Sequence, residues 1–281
     1  MTGGPATPLA QALAQRVLPL DGGLSNQLEE QGCELSDALW SARLLADDPG
    51  QIEAAHAAYA RAGARVLITS SYQASFEGFA RRGLGPRSAR ELFARSVALA
   101  RAAGGSGVWV AGSVGPYGAV LADGSEYRGR YGKSVRELAG FHRPRIAALA
   151  AAGPDVLALE TVPDTAEAEA LLRAAADCGL PVWLSYTVAG ARTRAGQPLQ
   201  EAFALARGNE QVIAVGVNCC RSEEVLPAVR IASRAAGGKP VVVYPNSGEG
   251  WDAERHAWTG RPTFTASHAA EAAEWVRAGA P

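Results

Sequence analysis

No run in this 281-residue chain is long and apolar enough to span a bilayer. The N-terminus has no basic start followed by a long apolar stretch, so no secretory signal is expected and a cytoplasmic location is. Charge of one sign is not in excess: Lys and Arg total 27 against 28 Asp and Glu, a net charge of -1. That balance gives no built-in attraction to nucleic acid or to an anionic membrane. Cysteine is scarce. The four present, Cys33, Cys178, Cys219 and Cys220, form no CxxC pair. Without a secretory signal disulfides are not expected, and the question becomes whether any thiol is a nucleophile or a metal ligand. A Gly-rich GxGxxG turn is missing too; the first strand candidate leads into DGGLSNQLEE, which argues against a dinucleotide-binding sheet.

What is present is ordinary globular material, 48% hydrophobic and 20% charged, enough for one large domain over 1–281. Seven short, nearly continuous apolar runs predict strands covered on both faces, at 17–23, 66–71, 108–115, 156–161, 182–187, 212–218 and 240–247. Ala- and Leu-rich stretches between them, such as 52–63, 89–105 and 165–179, read as helices. This alternation implies a parallel α/β sheet. Nearly every run ends in a polar residue: Asp21, Thr69, Ser113, Glu160, Thr187, Asn218 and Asn246. A (β/α)8 TIM-type barrel puts its chemistry at those ends, whereas a doubly wound sheet concentrates it at one switch point. The helix-ending Arg-Ala-Gly-Ala-Arg of 61–65 and Ala-Ala-Gly-Pro-Asp of 151–155 each lead into a strand. Arg-Ala-Gly-Ala-Pro at 277–281 repeats the punctuation with no strand after it. The expectation is a barrel domain that is C-terminally incomplete, its eighth β/α unit missing.

Cys219 closes the sixth run beside Cys220. Neighbouring strand residues face opposite ways, so at most one of the two enters the mouth. Two buried small hydrophobes is one reading; a thiolate nucleophile or zinc ligand is the other. Asp21 and Glu160 could act as acid and base or anchor an ammonium group; helix capping and a structural hydrogen bond are the bland alternatives. Asn218 and Thr69 supply further polar groups. The four histidines fall in helices or loops, where surface or capping roles are expected. The long Gly- and Tyr-rich stretch at 115–132 reads as a lid, with Tyr117, Tyr127 and Tyr131 either packing or lining a pocket for a cation.

LeuAspGlyGly (20–23), LITSSYQASFEGFARRGL (67–84), AGSVGPYGAVLADGSEYRGRY (111–131), LETVP (159–163), GVNC (216–219) and VVVYPNSGEGWD (241–252) resemble, in order along the whole chain, the homocysteine S-methyltransferases. The resemblance is closest to the bacterial branch that uses S-methylmethionine or S-adenosylmethionine. It implies a (β/α)8 barrel, zinc as cofactor, and homocysteine and a methyl-sulfonium donor as partners. Nucleic acid and membrane are not among them, and a homo-oligomer stays open. By resemblance, Cys219 is the first zinc-ligand cysteine, Asp21 and Glu160 hold the homocysteine amino group, Gly22, Gly23 and Thr69 surround the amino-acid end, and Asn218 orients the metal ligand. The family's other two zinc cysteines lie in a Gly-Gly-Cys-Cys motif at strand eight, so they are expected beyond Pro281. Two competing readings are a truncated, zinc-free barrel that binds an amino acid or a partner without catalysis, and a metal-independent lyase or hydrolase using Glu160 and Asp21.

Overall fold

The computed structural model describes residues 4–34, 41–248, 250–252, 257–259 and 269–279. Strands β1 (Val66–Ile68), β2 (Trp109–Val114), β3 (Val156–Val162), β4 (Val182–Tyr186), β7 (Val212–Asn218) and β8 (Val241–Tyr244) form one parallel sheet in that order. Two small antiparallel hairpins decorate it: β5 (Val188–Ala189) with β6 (Arg192–Thr193), and β9 (Gly250–Asp252) with β10 (Ala257–Thr259). Sheet order follows chain order, without the reversal that a doubly wound fold requires. The sheet curls: inward residues from β1 through β8, Val66, Trp109, Ala111, Val156, Ala158, Trp183, Ala214 and Val242, share one apolar cluster. Outward residues of the same strands pack under the helices in a second, larger core. This is the TIM-like architecture expected, seen as an open, curled half-barrel.

The run at 17–23 was expected to be a full strand. Only Leu20 pairs, as a single parallel bridge to Val66. Pro19 has no N–H to give the ladder, and Asp21-Gly22-Gly23 already turns into the helix Leu24–Glu30. The predicted helices at 52–63, 89–105 and 165–179 are observed at Pro49–Arg61, Pro86–Gly104 and Thr165–Ala175. Gly63 and Gly153 take φ of 108° and 73°, the left-handed turn that ends each helix and starts the next strand.

The end of the sheet where the strands begin is plugged by the helix Leu9–Leu13. Leu9 and Ala12 enter the inner cluster, and the Trp109 indole donates to the Thr7 carbonyl at 2.9 Å. Between β8 and Leu18–Leu20 lies a cavity of about 220 Å³ with apolar walls, including Val241, Val243, Trp275 and Val276. No helix among the described residues is long and apolar enough to cross a membrane.

Candidate active site

Strand alternation builds the site. The last inward positions of β2, β3, β4, β7 and β8 are Ser113, Glu160, Ser185, Asn218 and Tyr244. Two residues below each lie Ala111, Ala158, Trp183, Gly216 and Val242. An apolar layer thus gives way to a polar one at the strand ends, where barrel enzymes hold their chemistry. Gly216 is required by closeness: a Cβ there would meet the Val242 carbonyl oxygen at 1.7 Å.

Strict alternation would send Thr161 and Cys219 outward, since Glu160 and Asn218 face in. Both residues instead take left-handed backbone, with φ of 57° and 47°. The β3–β4 register shifts at the same place. The twist turns two consecutive side chains of each strand, Glu160 with Thr161 and Asn218 with Cys219, toward the mouth. For non-glycine residues this conformation costs about 1–2 kcal/mol each, and such strain gathers at functional sites. It also returns Cys220 to the outer core, where it is fully buried.

Cys219 is half-buried, and its sulfur is surrounded by donors. The Asn218 amide nitrogen donates to it at 3.3 Å and the Thr161 hydroxyl at 3.6 Å. Asn218 is itself held at both ends. Its amide nitrogen donates to Thr161 Oγ1 at 2.7 Å, and its oxygen accepts from the Thr161 N–H at 2.8 Å and from Ser185 Oγ at 2.7 Å. Thr187 Oγ1 donates to the Cys219 carbonyl at 3.0 Å. Burial pushes the thiol up to about 11, only partly offset by the Thr161 and Asn218 hydrogen bonds. The thiol therefore stays protonated at neutral pH unless a positive charge arrives beside it.

Glu160 accepts from Ser113 Oγ and interacts with the Tyr244 hydroxyl, which in turn accepts from the Trp183 indole at 3.1 Å. Burial raises Glu160 to about 7. Asp21 is raised well above its usual range, first by burial and then by the facing Glu160 charge. One Asp21 oxygen accepts from the Ile68 N–H at 2.8 Å; the other, Oδ1, is buried with no partner among the described residues. Two buried carboxylates, one with an unused oxygen, suit a cation such as a substrate ammonium.

The homocysteine S-methyltransferase family model matches residues 18–280. The homocysteine S-methyltransferase of Escherichia coli (strain K12) is 43% identical over 277 residues, covering 95% of this chain and 89% of its own. The Bacillus subtilis (strain 168) homocysteine S-methyltransferase YbgG is 40% identical over 279 residues, covering 94% and 88%. The crystal structure of the metallated form of the Escherichia coli homocysteine methyltransferase MmuM matches with a TM-score of 0.84 at 41% identity, over 98% of this chain and 93% of that one. This chain belongs to the homocysteine S-methyltransferase family.

Within this homocysteine S-methyltransferase fold, Asp21, Glu160, Asn218 and Cys219 converge on one mouth. Gly22 lies under Tyr59, which a Cβ would meet at 2.8 Å, and the Gly23 carbonyl accepts from the Tyr59 hydroxyl at 2.8 Å. Thr69 is engaged in the frame: its hydroxyl accepts from the Ser113 N–H at 2.9 Å and pairs with Ser71 Oγ at 2.7 Å. Cys33 and Cys178 are half-buried against the outer core. The histidine expectation needs correcting for two of the four. His56 and His142 are fully buried; His142 bonds Glu167 at 3.0 Å, and burial lowers His56 to about 4. His256 and His268 lie outside the described residues.

The stretch at 115–132 is partly ordered into the helix Tyr117–Leu121 and a single 3-10 turn, Ser125–Tyr127. Its tyrosines divide. Tyr117 and Tyr131 pack together with ring centroids 5.3 Å apart, and Tyr117 packs on Phe141. Tyr127 lies beside Cys219. Sequence reasoning missed Tyr72, beside Thr161, and Tyr244, beside Glu160. Period-two alternation back from Val242 could have found Tyr244. Nothing local marks Tyr72, which the fold brings in.

Proposed function

We propose that this chain transfers a methyl group from a sulfonium donor, S-methylmethionine or S-adenosylmethionine, to the thiol of homocysteine, giving methionine. The observation that carries this reading is the buried pair Asp21 and Glu160, one with a carboxylate oxygen that has no partner among the described residues, sharing a mouth with the Cys219 thiol. The family membership supports the reaction type.

Asp21 and Glu160 hold the homocysteine ammonium, which points the rest of the amino acid across the mouth toward Cys219. Ser113 and Tyr244 orient Glu160, and Asn218 with Thr161 orients the Cys219 sulfur. The homocysteine sulfur, freed of its proton, attacks the donor methyl carbon in line. A new S–CH3 bond forms as the donor's S–CH3 bond breaks, and that electron pair leaves on a neutral thioether. Orientation is the fold's main contribution to such a displacement. Gly22, Gly23 and Thr69 border the amino-acid end through the backbone frame they build.

Zinc would supply the charge that ionises the substrate thiol, whose reference pKa is about 8.5. A relative crystallised in a metallated form supports a metal in this family. The residues present do not make the site: no group of three His, Cys, Asp or Glu among the described residues could hold a metal ion. Cys219 is one thiol where a catalytic zinc takes three protein ligands. We infer that the chain forms a single barrel domain, and that a catalytic zinc at its mouth would need two thiolates besides Cys219. Balanced surface charge and the absence of a bilayer-spanning helix among the described residues favour a cytoplasmic protein.

The test is methionine formation from homocysteine and S-methylmethionine, with metal content measured on the same sample. Methylation that survives in Cys219→Ser would remove the thiol from the chemistry. Glu160→Ala should weaken homocysteine far more than a thiol lacking the amino group; equal losses would end the anchoring role. A protein that binds amino acid but carries no metal and no activity would instead be the zinc-free binding barrel.

A further inference from the structure

A cavity of about 650 Å³ opens beside the mouth, between the 115–132 stretch and the β5–β6 hairpin. Its walls carry four cations, Arg128, Arg130, Lys133 and Arg194, against one carboxylate, Asp123. Asp123 is already met by Arg128 at 3.7 Å. No carboxylate lies within ion-pair distance of Arg130, Lys133 or Arg194 among the described residues. The Arg194 guanidinium is held over the Tyr127 ring at 5.8 Å, with its Nε 3.5 Å from Thr187 Oγ1. Arg130 donates from one terminal nitrogen to the Ala195 carbonyl, which leaves its other N–H groups toward the cavity. Like charges in a concave wall focus a positive potential, and the ligand they select carries an anionic group.

Tyr127 is shared. It lies beside Cys219 and also lines the cavity. Thr187 is shared in the same way, bonded to the Cys219 carbonyl and adjacent to Arg194. A ligand held by Arg194 and Arg130 therefore extends past Tyr127 toward Cys219. On the reading above, Asp21 and Glu160, neither of which lines this cavity, take the homocysteine ammonium, which leaves the cavity to the other substrate.

We propose that Arg194, with Arg130, binds the carboxylate of an amino-acid sulfonium donor and so selects donors that carry one. This rests on the methyl-transfer reading and deepens it. Arginine suits a carboxylate through its planar, bidentate donor fork. The Tyr127 face gives the sulfonium end an aromatic surface.

The test measures binding directly, by calorimetry, so that turnover is not needed. S-methylmethionine and its methyl ester are titrated into the intact chain and into Arg194→Met and Arg130→Met variants, each checked for native circular dichroism. The intact chain should bind the acid at least tenfold more tightly than the ester. Arg194→Met should weaken the acid about tenfold, as expected for one charge-assisted contact, and the ester less than twofold. Arg194→Lys should recover part of the loss. Equal affinities of the intact chain for acid and ester, or equal losses for both in the variants, overturn the proposal. A chain that shows the expected discrimination but never methylates homocysteine keeps this site and loses the reaction assigned above; one that methylates without discriminating does the reverse.

Discussion

Two layers of one curled sheet behave in opposite ways. The lower inner layer, with Trp109, Ala111, Val156, Ala158, Trp183 and Ala214, is apolar, close-packed and closed beneath by Leu9 and Ala12. The upper layer, two to four residues further along each strand, holds Ser113, Glu160, Ser185 and Asn218, equally buried and polar. The lower layer gains stability from apolar burial. The upper layer buries polar groups and recovers only part of their desolvation through hydrogen bonds, leaving Asp21 Oδ1 without a partner among the described residues. It also carries both left-handed non-glycine residues of the strand ends, Thr161 and Cys219. Stability is held below and spent reactivity-ward above, as a functional layer on a packed base requires.

Substitutions at four positions test that division, in order of their effect on stability. Trp183→Ala empties the base and should destabilise by about 3–5 kcal/mol, read as a lower urea midpoint; a loss under 1 kcal/mol would mean that the lower layer is not the anchor. Glu160→Gln should act in the other direction, and only at higher pH. Below about pH 4.5 the group is protonated in folded and unfolded chains alike. Between there and about 7 the unfolded chain releases its proton first, so wild-type stability falls as pH rises and levels off above 7. The Gln variant lacks this fall and should exceed wild type by up to about 3 kcal/mol at pH 8, while binding homocysteine poorly. Parallel stability-versus-pH curves for the two proteins would contradict the burial-raised carboxyl.

Thr161→Ala and Thr161→Gly both lose the hydroxyl that links Asn218 to the Cys219 sulfur. The glycine variant should be the more stable by about 1 kcal/mol, because φ of 57° strains any residue with a Cβ. The reverse order would show that the backbone there is unstrained. Cys219→Ser is the mildest for the fold, with a change under about 1 kcal/mol, and the most severe for methylation, which should vanish. Loss of both together would place Cys219 in the base rather than the site.

Much of this was legible in the residues. Six apolar runs became the six strands of the sheet, because strands covered on both faces need continuous apolar residues. Asp21, Glu160, Asn218 and Cys219 were visible as polar or thiol groups at run ends. The run at 17–23 misled, since the pattern counts side chains and not the N–H that Pro19 lacks. His56 and His142 misled because helix position says nothing of which face is covered.

By itself, the chain's apolar periodicity determined the strand–helix alternation, and its run ends determined which residues could hold chemistry; both are local properties of neighbouring side chains. Only the tertiary structure decided that Thr161 and Cys219 turn inward beside Glu160 and Asn218, that Tyr72 and Tyr127 arrive from other loops, and that four cations share one cavity wall. Those outcomes depend on backbone twist and on segments far apart in the chain, which become neighbours only when the sheet curls.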